Sequence, residues 1–158
     1  MTSRERVLTT INHKEPDQIP FDLGSTHLTG ISMHAYKKLC NYIGLSTEKI
    51  QYSDYIQQLA SPSEEFNNFF GVDFKGLFPL TSHNWNVQKK LIDKGEYYHY
   101  HDEWGMMHQI EKNNGFWFSI IDHPLANNEI VEASINNHQW PDTGNRIRVK
   151  WLKQQAIQ

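Results

Sequence analysis

Ser61-Pro62-Ser63-Glu64-Glu65-Phe66-Asn67-Asn68-Phe69-Phe70-Gly71, followed by Val72-Asp73-Phe74-Lys75-Gly76-Leu77-Phe78-Pro79, is the stretch whose reading decides the fold. Ser61 can cap a helix, Pro62 suits its first position, and Glu64 and Glu65 complement the positive end of the helix dipole. Phe66, Phe69 and Phe70 give that helix a core face, and Gly71 stands where a left-handed residue ends it. Residues 72–78 then read as a strand closed by Pro79. A helix that hands over directly to a strand is half of a βα repeat.

Working back towards the N-terminus, the same alternation recurs. Residues 49–53 carry alternating Ile50 and Tyr52 and read as a strand. Residues 31–43 read as a helix, with Ile31, Ala35, Leu39 and Ile43 at four-residue spacing and Gly44 as terminator. Residues 19–23 read as a short buried strand, bracketed by Pro16 and Pro20 and followed by the polar loop Gly24-Ser25-Thr26-His27. At the start, Thr2 and Glu5 have the spacing of a capping box, with Val7, Leu8 and Ile11 as an apolar stripe. The order helix, strand, helix, strand, helix, strand predicts βα units around a parallel sheet.

Working forward, the texture changes at about Asn84. Residues 96–109 and 116–121 read as strands, with Asn113-Asn114-Gly115 as a turn, so residues 84–121 form an antiparallel β-rich insertion. Helix returns over residues 128–135. Trp140-Pro141-Asp142 breaks it, and a last helix begins near Gly144 with Ile147, Trp151 and Leu152 on its apolar face. Three βα-like units cannot close a barrel, and the last helix stops without a cap. The expectation is the N-terminal portion of a larger α/β enzyme.

Bulk properties narrow the functional classes. The 158 residues are 38% hydrophobic and 13% aromatic, which suits a globular fold rather than a disordered chain. A net charge of −3 without a dense Lys/Arg run argues against nucleic acid as a partner. No apolar run approaches the about 20 residues of a membrane helix, so no membrane partner is expected. The N-terminus leads into an amphipathic segment rather than a signal sequence, and a cytoplasmic location is the default. A single cysteine, Cys40, forms neither an internal disulfide nor a thiolate-rich metal site.

Several strings occur together. They are Ser3-Arg4-Glu5-Arg6-Val7-Leu8, then Asn12-His13-Lys14-Glu15-Pro16-Asp17-Gln18-Ile19-Pro20-Phe21-Asp22, then Tyr52-Ser53-Asp54, Gln57-Gln58-Leu59-Ala60 and Phe70-Gly71-Val72-Asp73. Asp102-Glu103-Trp104-Gly105, His123-Pro124-Leu125 and Trp140-Pro141-Asp142 follow. In this order, across essentially the whole chain, they resemble the uroporphyrinogen decarboxylase family, especially its relatives associated with corrinoid-dependent methyl transfer. The resemblance implies a TIM-type (β/α) barrel of about 250 residues or more, of which this chain would be an incomplete, N-terminal part of one domain. It implies either decarboxylation of a tetrapyrrole acetate side chain, as in porphyrin biosynthesis, or methyl transfer to a corrinoid or thiol. It further implies that the segment is inactive alone.

The resemblance assigns Asp54 as the catalytic carboxylate, facing a tetrapyrrole and stabilising its N–H groups. A carboxylate at a strand end can accept several N–H bonds and stabilise developing positive charge. The competing role is that Asp54 caps residues 55–60, and the two are compatible. Ser25, Thr26, His27 and Tyr52 are the candidate substrate contacts, with an ordinary loop histidine as the alternative for His27. The family's decarboxylases carry arginines in the loop after the first strand. Residues 22–30 hold neither arginine nor lysine, and a polycarboxylate needs such bidentate partners. The departure favours a smaller or less anionic, methylated substrate.

The methyltransferase relatives use zinc and a corrinoid, with a corrinoid protein as partner. Their zinc ligands lie later in the chain, so no cofactor is expected in this segment. His99, His101 and Glu103 share a strand face and could bind zinc, although with Tyr97 they also match a solvated face. The aromatic residues Tyr97, Tyr98, Tyr100, Trp104, Phe116, Trp117 and Phe118 pack against a core or form a binding platform. Two other classes remain open: a self-contained, non-enzymatic binding module using this hairpin, and one subunit of a split barrel enzyme.

Overall fold

The computed structural model describes residues 1–79, 91–126 and 132–157. The chain forms two compact units, Met1–Leu77 and Phe78–Gln158. It is a mixed α/β structure with two antiparallel sheets, and the described residues contain neither a parallel strand pair nor a closed barrel. No helix among them is long and apolar enough to cross a membrane.

In the first unit, α1 (Ser3–Ile11) starts at the expected capping box. Thr2 accepts from the Glu5 N–H while the Glu5 carboxylate accepts from the Thr2 N–H. Its apolar stripe is not what holds it, because Leu8 and Ile11 are exposed. The Arg6 guanidinium instead grips Asp17 and the buried carboxylate of Asp73. α2 (Met33–Ile43) is capped by Ser32 and closed by Gly44 in the left-handed conformation. The face it buries is Met33, Tyr36 and Cys40, whereas Ala35 points to solvent.

β1 (Gln51–Asp54) and β2 (Leu59–Ser61) form an antiparallel hairpin. α3 (Glu64–Phe70) ends at Gly71 as expected, but its cap is Ser63 rather than Ser61. Ser61 is the last residue of β2, and Pro62 therefore precedes the cap instead of opening the helix. The core consists of Met33, Tyr36, Cys40, Ala60 and Phe66. Phe66 stacks obliquely on Tyr36 at 4.8 Å and on Phe70 at 4.7 Å. Phe69, expected on that core face, is exposed.

Two expected strands are absent. Residues 19–23 form no ladder: Ile19 is 86% exposed, and Pro20 has no N–H to donate. The Phe21 backbone bonds to Asp73 instead, giving its N–H to the carboxylate at 3.0 Å and accepting from the Asp73 N–H at 2.8 Å. Residues 72–78 likewise form no ladder, and the Asp73 N–H goes to the Phe21 carbonyl instead. The strand expected at 49–53 exists as β1, but its partner is the next strand in sequence, so it pairs antiparallel.

The second unit is a four-stranded antiparallel meander. Its strands are β3 (Ile92–Lys94), β4 (Tyr97–His101), β5 (Met107–Glu111) and β6 (Ser119–Asp122), paired in that order. The single strand expected over 96–109 is thus two strands. Asp102 breaks it by accepting from the N–H groups of Trp104 (2.8 Å) and Met106 (2.9 Å), with Gly105 at φ +80°. The turn expected at Asn113-Asn114-Gly115 is present between β5 and β6. The onset of the β-rich region near Asn84 and the first part of the helix over 128–135 lie outside the described residues. The latter helix is seen as α4 (Glu132–Asn137), and the last helix as a 3-10 turn (Arg146–Arg148) followed by α5 (Leu152–Ile157).

The aromatic residues of the meander divide between buried and exposed positions. Tyr100 and Phe118 are buried, edge to face at 4.8 Å. Phe116 and Trp117 are exposed and border a hollow of about 290 Å³ also lined by Tyr97, Gln109 and Ser119.

Candidate functional site

Asp54 and His27 come together in the first unit, with His27 Nδ1 3.4 Å from Asp54 Oδ2. Two local devices produce the approach. In β1 the register slips between Tyr52 and Asp54, leaving Ser53 as a bulge whose hydroxyl donates to the Ala60 carbonyl at 3.0 Å. A bulge interrupts the alternation of faces and re-aims the residue that follows it, here Asp54. The hairpin is then stitched to the segment leading out of the His27 loop. Ala60 N–H donates to the Ile31 carbonyl (2.9 Å) and Met33 N–H to the Gln58 carbonyl (2.7 Å).

Asp54 also closes the turn after β1, accepting from Gln57 N–H at 2.8 Å and from Gln57 Nε2 at 3.2 Å. The capping role anticipated for it is therefore present, on a turn rather than a helix. The Asp54 side chain is 16% exposed and that of His27 44%. Tyr52 lies partly buried on β1 against Tyr55, ring centroids 4.9 Å apart. Burial pushes its hydroxyl pKa above the ordinary tyrosine value, which keeps it a neutral donor.

Ser25 and Thr26 do not stand free towards a ligand. Ser25 donates its N–H and its hydroxyl to Asp22, and the hydroxyls of Thr26 and Thr29 lie 3.0 Å apart. These two predicted contacts support the loop that carries His27. A cavity of about 620 Å³ in this unit is lined by Tyr36, Ile50, Gln51, Pro62 and neighbours, and by none of Ser25, Thr26, His27, Tyr52 or Asp54.

Other polar groups went unnoticed in the sequence. His108 is fully buried, with Nε2 2.8 Å from Asp102 Oδ2 and its ring stacked on Tyr100 at 4.8 Å and 7°. Its signal was a histidine at an alternate strand position opposite an aromatic residue. Glu103 takes a bidentate grip from Arg148, which engages the carboxylate of the proposed His99, His101 and Glu103 group. Among the described residues no three His, Cys, Asp or Glu side chains come together as metal ligands.

Comparison of the chain with protein-family models, with curated proteins and with solved structures found no match.

Proposed function

We propose that the chain supplies the N-terminal part of a TIM-type barrel enzyme of the uroporphyrinogen decarboxylase family, catalytically incomplete by itself, with Asp54 and His27 facing the substrate. The observation that carries this reading is the 3.4 Å approach of two side chains singled out separately in the sequence. A partly buried carboxylate beside an imidazole can accept N–H groups and relay a proton, the work asked of it in either decarboxylation or methyl transfer.

The substrate is of the small methylated class rather than a polycarboxylate. The loop around His27 offers an imidazole but no cation, since its hydroxyls and Asp22 are bonded to one another, and Arg6 is already committed to Asp17 and Asp73. A corrinoid, carried by a partner protein, would then accept the methyl group. Zinc would require ligands beyond those the described residues bring together.

Equilibrium titration of the chain tests the choice, using uroporphyrinogen under anaerobic conditions against small methylated alcohols, amines and thiols. Saturable binding of one of the small ligands is expected. Tight binding of the tetrapyrrole would contradict the substrate assignment, and binding of neither class would contradict the site.

A second reading has its own observation. Trp117, 62% exposed beside Phe116, offers a face on which a sugar or tetrapyrrole could stack, as a non-enzymatic binding module would require. Ligand binding abolished by Trp117→Ala and untouched by Asp54→Asn would favour that module.

A further inference from the structure

We propose that Asp22 is the positioning residue that presents His27 to Asp54, an assignment that rests on the substrate-site reading above. Asp22 opens the loop and holds it from within. Its Oδ1 accepts from the Ser25 N–H at 3.2 Å, and its Oδ2 accepts from the Ser25 hydroxyl and, at 2.9 Å, from the Thr29 hydroxyl. The Gly24 N–H donates to the Thr29 carbonyl at 2.8 Å, which closes the loop across its base. Thr26 and Thr29 each accept the other's N–H at 3.2 Å. His27 and Leu28 are what this closure leaves at the tip.

The two feet of the loop are seated on β2, the hairpin partner of the strand that carries Asp54, and on the residue that follows it. Gly24, at φ +92°, lies so close to Pro62 that an added Cβ would meet its Cγ at 2.7 Å. Gly30 lies equally close to Leu59, whose Cδ1 would be 2.6 Å from such an atom. Leu59 is also the strand partner of Asp54 across the bulge. The feet fix where the loop stands, and Asp22 fixes the path of the chain between them. Its carboxylate suits this work because one group accepts three donors, and charged acceptors make the stronger bonds. A carboxylate that acts through other residues in this way does not itself touch substrate.

The test is a double-substitution cycle read by NMR on histidine-labelled chain, with the His27 ring signal assigned through His27→Gln. Asp54→Asn shifts that signal in the otherwise unaltered chain. In an Asp22→Ala background the same substitution is expected to shift it several-fold less, and Asp22→Asn, which keeps an acceptor for the Ser25 N–H, is expected to restore part of the response. An undiminished Asp54→Asn shift in the Asp22→Ala chain would overturn the proposal. If Asp22→Ala loses the dispersed spectrum of a folded chain, Thr29→Val replaces it: a reduced shift supports the proposal, and an unchanged one overturns it. Because the readout needs no ligand, failure here differs from failure of the substrate site, which would leave the coupling intact while ligand binding ignores Asp54.

Discussion

The Tyr36 hydroxyl accepts a hydrogen bond from the Ser63 backbone N–H at 2.9 Å, so the buried ring of α2 also secures the start of α3. One side chain thus contributes both apolar packing on Phe66 and satisfaction of a polar group at a helix entrance.

Tyr36→Phe separates these two contributions. The ring still packs, but a partly buried N–H loses its acceptor, and a loss of about 1 kcal/mol is expected in urea unfolding followed by circular dichroism. Phe66→Ala removes the packing itself and is expected to cost about 3–5 kcal/mol. Equal losses from the two would contradict the division.

Asp102 is the corresponding hub of the second unit, holding the β4–β5 turn and His108 together. Asp102→Ala strands two turn N–H groups and a buried imidazole nitrogen, and about 3 kcal/mol of destabilisation is expected. Gly105→Ala should cost about 1 kcal/mol or more, since φ is +80° and the new Cβ would stand 2.9 Å from Pro124 Cγ. Both are read by tryptophan fluorescence during denaturant unfolding. Wild-type midpoints in either variant would contradict the assignment.

Acid should loosen the first unit through Asp17 and Asp73. The Arg6 hydrogen bonds hold Asp17 well below the ordinary carboxylate range. Burial pushes Asp73 upward, but hydrogen bonds from the Phe21 N–H, Ser3 and Arg6 outweigh it and leave it lowered. Groups with depressed folded pKa values stabilise fully above the unfolded value and lose that contribution as pH falls through the folded one. Urea midpoints should therefore hold from neutral pH to about pH 4 and fall below it. Arg6→Gln should flatten that acid limb, and an unchanged limb would contradict the network.

What was legible in the sequence was local. The Thr2 and Glu5 capping box, the terminators Gly44 and Gly71 and the Asn113-Asn114-Gly115 turn each follow from residues within a few positions of one another. Strand pairing is not local. Ile50 and Tyr52 announce β1, but nothing near them tells whether the partner is the adjacent β2 or a distant parallel strand. Residues 19–23 have the apolar content of a strand, but Pro20 lacks the donor a ladder needs. The site was legible as separate residues, Asp54 and His27, while their approach depends on the Ser53 bulge and the seating of Gly30 on Leu59. Asp22 carries a local signal too, since an aspartate opening a Gly-Ser-Thr loop commonly bonds back onto its own turn.

The reading of Asp54 as a substrate-facing carboxylate is tested most directly by its own substitution. The affinity of the chain for whichever small methylated ligand it binds is to be measured with and without Asp54→Asn, alongside circular dichroism of both. A charged acceptor lost from a binding site is worth about tenfold or more in affinity, so the variant should bind at least that much more weakly while its spectrum stays unchanged. Equal affinity in the two folded chains would contradict the account.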